Sequence, residues 1–599
     1  MPRLRSVVVL VAGVAAGAGP AAVELRGQAG ERARDAAREA QGRFERARLR
    51  WLPVDHGWSR GRCDEVIGRM CYSNPEGGDW YWDAEDPRIA DAREELIAEL
   101  ARAATDAPAD PWILGQRVAY LGEADRWEEA RALAAGCGRA GREPPEEPEA
   151  RTWCLALEGL ALHSLGRFVE SEGAFRRAMA GMDPADVAQW SDLEPLLDRS
   201  TREWWNGLSP DERVLRSPVV WTFADPLLLV PGNDLLTEHW SRRTVARIRE
   251  RARNPYRMNW GDDLEEMLVR YGREVGWART APSPYTQPPT TDAVGYHDPE
   301  SRPLFPSARA LADPAAASEA AWEVDAGQAR SAYAPQYAPA LLPGAGRVAV
   351  FPRGDRLAVV ATFALPDDTT RHAEHGHPER DSVPPGWRGR PSEAGLFLVA
   401  AEDPTSAPVS RRSIHADTGA FLLEAPAGRW VASLEIFSPE LRRAGRTRVG
   451  VDRPPLPPDV FTMSDLLLVD GLLPVGSSLE EAVERALARA WFRAGERIGV
   501  AWELFGLGYR DEVLSYRLTV EEESGGALSR VASWLGIGGD GRTERLVWEE
   551  QAPEGPGPML RSVELELPLL PVGRYLVKLE VGTRGRAPLE REIPIELRD

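Results

Sequence analysis

The 599-residue chain contains a single lysine, Lys578, and only four cysteines. Its longest apolar run, near the N-terminus, is about a dozen residues, whereas a membrane-spanning helix takes ~20. These shortages exclude a polytopic membrane protein, and they put nearly all positive charge on arginine, so an arginine cluster by itself means little. The chain also lacks GxSxG, HExxH, Walker A and GxGxxG strings in a fitting strand-to-helix setting, which leaves no motif-based catalytic, cofactor or metal assignment. Positive charge is in deficit overall: 73 Lys+Arg against 93 Asp+Glu give a net charge of −20. Such a balance repels polyanions and argues against nucleic acid as a partner.

What is present is an ordinary globular composition, 43% hydrophobic and 28% charged. At roughly 150 residues per domain the length implies about four folding units. Tryptophan is the outlier, with 21 residues, 14 of them between Trp51 and Trp277.

At the N-terminus, Arg3 and Arg5 precede an apolar stretch from Val7 to Ala18 that ends in Ala16-Gly17-Ala18. This is the layout of a secretory signal peptide. Residues 1–22 are therefore expected to direct export and be removed, leaving no integral membrane span and a periplasmic or extracellular protein. In that setting the cysteines, Cys63, Cys71, Cys137 and Cys154, read as two disulfides. Cys137 ends one helical pattern and Cys154 begins the next, so this pair would close a helical hairpin. On a continuous helix Cys63 and Cys71 would stand about 12 Å apart, so a bond between them requires a break, for instance at Gly68. Four buried free thiols are the alternative.

From Glu24 to Arg50 a charged, alanine-rich pattern predicts a surface or leading helix. Between Ile89 and Met182 the helical signal is strong and repeats itself. Arg126-Trp127-Glu128-Glu129-Ala130 with Ala134 aligns with Arg167-Phe168-Val169-Glu170-Ser171 with Phe175, at an offset of 41 residues. The Pro/Glu-rich insertion Arg142 to Glu149 lengthens the spacing. With Gly159, Gly166, Phe168, Phe175, Ala178 and Pro184, the second copy resembles a tetratricopeptide repeat, departing from it at Leu155, where that family favours tryptophan. The resemblance covers Asp110 to Met182 and implies stacked helix pairs with a short concave face for a partner. A helical domain that merely packs on its neighbours is the other reading. A further helix is expected after a cap at Asn233 or Asp234, followed by a Pro/Ala/Ser-rich irregular connector over 281–343.

Beyond Gly344 the period becomes that of strands, as in Val348-Ala349-Val350-Phe351, Leu396-Phe397-Leu398-Val399 and Trp430 to Ile436. Short strands between Gly/Pro/Asp turns predict an antiparallel sandwich over 344–453. After the prolines Pro454 to Pro458 a second, immunoglobulin-like sandwich is expected over 454–599, with a helical insertion near Leu479 to Arg493.

The most distinctive string is Met258-Asn259-Trp260-Gly261-Asp262-Asp263, running through Arg270-Tyr271-Gly272 to Gly276-Trp277. It resembles the GWxTD domain of uncharacterised bacterial exported proteins, in which a tryptophan and an aspartate precede a strand ending in Arg-Tyr-Gly. Here Asn259 stands where that family has glycine. Ser464 to Leu468 and Glu496 to Leu507 are similar to strands of the sandwich that follows. The resemblance implies a strand ending at Gly272 and brings no activity with it. Physically, Trp260, Tyr271 and Trp277 can cluster around a turn at Gly272, and Arg270 can pair with Asp262 or Asp263. The cluster reads either as packing or as a cleft for an extended ligand.

Two chemical possibilities remain. Asp262-Asp263 and Glu265-Glu266 offer paired carboxylates for a hydrolase of envelope polymers if two of them face a cleft about 5 to 9.5 Å apart. His372, Glu374, His375 and His377 form a tract able to hold a metal, although its setting reads as a loop. The economical expectation is an exported, non-catalytic scaffold without a cofactor, binding a protein or peptide partner at the bacterial cell envelope. It is built as a signal peptide (1–22), a helical tetratricopeptide-like domain (23–205), a small α+β GWxTD-like segment (206–280), the connector (281–343) and two antiparallel β-sandwiches.

Overall fold

The computed structural model describes residues 20–55, 65–72, 84–137, 148–281, 292–323, 327–344, 346–365, 392–415, 418–489, 491–493, 495–509, 511–522, 544–552, 555–567 and 571–598. Residues 1–19 of the expected signal peptide (1–22), Cys63 and the tract His372, His375 and His377 lie outside them. Helices make up the N-terminal half and β-sheets the C-terminal half.

The helical half contains α1 (Pro20–Trp51), the hairpin β1 (Glu65–Ile67) and β2 (Met70–Tyr72), then α2 (Pro87–Asp106), α3 (Pro111–Glu123) and α4 (Trp127–Cys137). It continues with α5 (Pro148–Ser164), α6 (Phe168–Met179), α7 (Pro184–Ser191), α8 (Arg199–Gly207), α9 (Pro210–Ala224), α10 (Asp234–Arg249) and α11 (Asp262–Tyr271). Several starts are written as an acid or serine followed by proline. Asp86, Asp110 and Ser209 accept the backbone N–H groups of Arg88, Ile113 and Glu212, ahead of Pro87, Pro111 and Pro210. The cap satisfies an orphan donor, and proline has none to lose at the first helical position.

The two aligned segments form the hairpins α3–α4 and α5–α6, and their turns share one hydrogen-bond pattern. Arg126 N donates to Leu121 O at 2.8 Å and Arg167 N to Leu162 O at 2.9 Å. The residue between the helices is left-handed in both, Asp125 at φ 56° and Gly166 at φ 72°. Cys137 and Cys154 are bonded to each other across α4 and α5. Cys71 is disulfide-bonded as well, and the chain breaks at Gly68, where φ is 54° in the β1–β2 turn.

α1 is not a surface helix: Ala37, Ala40, Gln41, Phe44, Glu45 and Arg48 form a buried face, packed on α2 and α3. α10 is buried along almost its whole length, wedged against α3, α5 and α6. The hairpins α3–α4 and α5–α6 therefore pack against the chain's own helix through α3, α5 and α6. Its polar residues find partners inside. His163 of α5 places Nδ1 2.9 Å from Thr237 Oγ1 and Nε2 2.8 Å from Glu238 Oε2, and His239 Nε2 donates to the Trp190 carbonyl at 3.0 Å.

After β3 (Gly276–Arg279), β4 (Ala293–Tyr296) and the short α12 (Ala308–Ala312), the stretch expected as a connector runs without long elements to residue 343. Its apolar side chains, among them Leu304, Phe305, Leu311, Trp322 and Tyr333, are buried in the helical core, so this stretch is part of that core.

The strands that follow are β5 (Ala340–Pro343), β6 (Gly346–Arg353), β7 (Arg356–Ala364), β8 (Ser392–Ala400), β9 (Val409–His415), β10 (Thr418–Pro426), β11 (Gly428–Ser438) and β12 (Arg443–Arg453). They pair in the orders β10-β7-β6 and β5-β12-β11-β8-β9. Leu396, Leu398, Leu434 and Ile436 of the larger sheet share one buried cluster with Val350, Val359 and Phe363 of the smaller. The opposite faces are covered too. Phe397, Val399 and Val431 join the helical core, while Phe351, Ala358 and Val360 meet Leu467, Val469 and Ala501 further along. Side chains alternate across a strand, so strands covered on both faces read as unbroken apolar runs.

The last strands are β13 (Thr462–Met463), β14 (Leu467–Val469), then after α13 (Leu479–Glu484), β15 (Trp491–Arg493), β16 (Arg497–Phe505), β17 (Val513–Glu522), β18 (Glu544–Gln551), β19 (Met559–Glu566), β20 (Gly573–Thr583) and β21 (Leu589–Arg598). β16 pairs with β13, β14 and β19, and a second sheet runs β15-β21-β20-β17-β18. Trp502, Tyr516, Val577 and Ile595 lie in the one cluster between them.

Candidate functional site

The central string is a helix where the resemblance implied a strand. Leu264, Met267, Leu268 and Tyr271 recur at helical spacing and are all buried. Asp262, Asp263 and Glu265 occupy the first turn of α11 and Arg270 the last, the charge order a helix dipole favours. Gly272, at φ 83°, ends the helix. Arg242 of α10 donates to the carbonyls of Val269 and Arg270 at 3.1 and 2.8 Å, satisfying acceptors that a helix end leaves open.

The expected pairing of Arg270 with Asp262 or Asp263 does not form, because eight residues of helix hold the two ends apart. Arg270 is fully buried and donates to Glu65, to Glu266 at 3.0 Å, to the Arg330 carbonyl and to Tyr271 Oη at 2.8 Å. Asp263 instead receives both Nε and Nη2 of Arg69, at 2.6 and 2.7 Å, and Arg69 holds its carboxyl well below the usual carboxylate range. Asp262 is exposed. The Tyr271 ring stacks on Tyr72, centroids 3.5 Å apart, and the Tyr271 hydroxyl donates to Glu65 at 2.6 Å.

The contacts with Glu65, Arg69 and Tyr72 reach the β1–β2 hairpin. Gly68 in its turn is so close to α11 that a Cβ there would lie 2.6 Å from Asp263 Cβ. Trp260 and Trp277 are half-buried at the edge of the same cluster, with Trp277 meeting Tyr256 edge-on at 5.0 Å. The first part of the motif thus clamps a hairpin. Asp263, held ionised by Arg69, retains no proton to donate near neutral pH. Sequence reasoning missed Glu65, Arg69 and Tyr72, which stand about two hundred residues away in a stretch without a strong pattern.

The second part of the motif has a different setting. Tyr271, Gly272 and Trp277 line a cavity of about 570 Å³ bordered by α1, α3, α10 and the 271–277 turn. Five glutamates line it, and each has an arginine partner: Glu45 and Glu123 with Arg48, Glu85 with Arg93, Glu238 with Arg242, Glu274 with Arg249. Burial pushes Glu274 up, but Arg249 at 2.8 Å outweighs it and holds the carboxyl at about 2. Glu238 is likewise lowered, by Arg242 and His163 against burial. Glu45 alone is raised, burial outweighing Arg48, and it accepts the Tyr120 hydroxyl at 2.9 Å. The walls are thus ion-paired and apolar by turns. Among the described residues no group of three or more His, Cys, Asp or Glu is arranged to hold a metal ion, and no helix is long and apolar enough to cross a membrane.

No protein family and no curated protein matches the chain. Among solved structures it is similar to Spo0M, a sporulation control protein from Bacillus subtilis, at 11% identity over 23% of this chain and 49% of that one, with a TM-score of 0.14. A Bacteroides uniformis beta-glucuronidase 2 matches at 9% identity over 41% of this chain and 27% of its own, TM-score 0.16. A tetra-tandem repeat from the extending region of a large adhesion protein matches at 11% over 41% and 57%, TM-score 0.13. The chain spans about half or less of these proteins' lengths, and likenesses this weak carry no argument about fold or function.

Proposed function

We propose that the chain is an exported, non-catalytic binding protein of the bacterial cell envelope that takes a protein or peptide partner in the cavity between α1, α3, α10 and the 271–277 turn. The observation that carries this reading is the pairing of every glutamate in the cavity wall with an arginine. Such a wall orients a polar ligand. A volume of about 570 Å³ is in the range of sites that hold small molecules or a short peptide segment. The N-terminal signal pattern and the Cys137–Cys154 bond support export. In the same reading α3–α4 and α5–α6 are tetratricopeptide-like hairpins, the central string is a divergent GWxTD segment, and each pair of sheets sharing a core is a β-sandwich.

The test is capture from envelope extracts with the full chain, with Ala119→Phe, which fills the cavity, and with Asp262→Ala on the exposed start of α11. Partners are expected to be lost with Ala119→Phe and kept with Asp262→Ala. Recovery of the same proteins by all three would remove the cavity as the binding site, and failure of the native N-terminus to export the chain would remove the envelope assignment.

A further inference from the structure

Within the cavity one interior arginine has no carboxylate in contact. Arg48, Arg93, Arg242 and Arg249 each have a carboxylate partner, and Arg253 sits exposed at the rim. Arg273 lines the interior, and among the described residues its guanidinium makes no hydrogen bond or ion pair. It lies over the Trp127 ring, 5.0 Å from the centroid. A partly desolvated, unpaired guanidinium is costly to keep in a fold, and burial does lower its proton affinity.

The surroundings fix this cation in place. Gly272 turns the chain with φ 83°, and a Cβ there would come within 3.0 Å of Arg242. On the other side Gly122 lets Trp127 lie against the end of α3, since a Cβ at 122 would overlap the indole at 2.2 Å. The result is a guanidinium on an aromatic shelf with its donors unspent, facing a space much larger than one ion.

We propose that this cavity receives the carboxylate of a short peptide segment, with Arg273 as the receiving cation. The inference rests on the reading of the cavity as a binding site and names its ligand chemistry. A planar guanidinium donates two parallel hydrogen bonds to a carboxylate. Arg273 is the interior arginine without a carboxylate in ion-pair contact, so its donors are open to one. A phosphate dianion would also face Glu238, Glu123 and Glu274, whose charges act on Arg273. Leu160, Val245 and Ile248 in the wall suit an apolar side chain beside the carboxylate.

The experiment is retention of pooled tetrapeptides by the full chain, read by mass spectrometry. One pool has free C-terminal carboxylates, a second is amidated, a third is amidated with internal Asp or Glu, and a fourth is amidated with phosphoserine. Retention of the free-acid or Asp/Glu pool at least tenfold above the plain amidated pool is expected, and the better of the two identifies the source of the carboxylate. Arg273→Gln should abolish that preference while the thermal midpoint stays about level, because the guanidinium has no hydrogen bond or ion pair to lose and only its stacking on Trp127 goes. Equal retention of acid and plain amide, preference for phosphoserine, or a preference that survives Arg273→Gln overturns the proposal. If acid and amide are retained equally and Ala119→Phe abolishes both, the cavity still binds and only the carboxylate assignment falls. If no pool is retained, the peptide-carboxylate proposal falls, and the capture experiment decides separately whether the cavity binds at all.

Discussion

Glu435, wholly buried on β11, accepts the backbone N–H of Leu229 at 2.9 Å. Leu229 belongs to the turn between α9 and α10, so a carboxylate on the sheet satisfies a donor of the helical half. Arg448 on β12 lies 3.8 Å from the same carboxylate and donates to the carbonyls of Phe223 and Asp225. Removing one member leaves the others buried and unsatisfied. Glu435→Leu is expected to destabilise the helical half by about 3 kcal/mol, measured by urea unfolding followed through tryptophan fluorescence.

The two charged ends of the central motif should respond very differently. Arg270→Met breaks a buried set reaching Glu65, Tyr271 and the Arg330 carbonyl, and should cost about 3 kcal/mol and speed hydrogen exchange at residues 65–72. Asp262→Asn, on an exposed position, should stay within about 0.5 kcal/mol of the parent chain. Equal effects of the two substitutions would contradict the clamp.

Why the motif reads as it does in the sequence is instructive. Leu264, Met267, Leu268 and Tyr271 follow the i, i+3, i+4, i+7 spacing of a helix, and that signal was available; the resemblance to a strand-bearing family pointed the other way. Strands such as β7, β8, β11 and β16 were legible because two covered faces make unbroken apolar runs. The hairpins α3–α4 and α5–α6 were legible because Arg126 to Ala130 and Arg167 to Ser171 repeat one pattern. Arg270's partners and the cavity were not, since both are assembled from elements far apart in the chain, and no spacing rule connects Glu65 with Arg270 or Trp127 with Arg273.

Asp234, buried at the start of α10 beside Asp225 and the hydroxyls of Tyr333 and Tyr337, is pushed up to about 7, burial being the main cause. Its carboxyl holds a proton in the fold that the unfolded chain gives up near pH 4. Stability from this group is therefore present at low pH and is lost as pH rises from about 4 through about 7. Asp234→Asn should be close to neutral at pH 4 and more stable than the parent above pH 7. His239, lowered to about 3 by burial and Arg243, acts in the opposite sense, its neutral form losing stability as pH falls below about 6.5. The difference between parent and Asp234→Asn isolates the aspartate.

Joining Cys137 to Cys154 closes a loop with a sequence separation of 17. On the chain-entropy account such a loop stabilises by about 3 kcal/mol. The double change of Cys137 and Cys154 to Ser should lower the urea midpoint of the helical transition accordingly. Reductant should lower it in the parent and have a smaller effect in the double variant, where only the bond involving Cys71 remains.

The burial of α10 against α3, α5 and α6 has a consequence for competition. A segment tethered in the same chain is present at an effective concentration of roughly millimolar or more. An outside helix of equal intrinsic affinity, at about a micromolar concentration, would occupy that seat only about one time in a thousand. Entry of an outside helix into that seat is thus suppressed by connectivity rather than by poor fit.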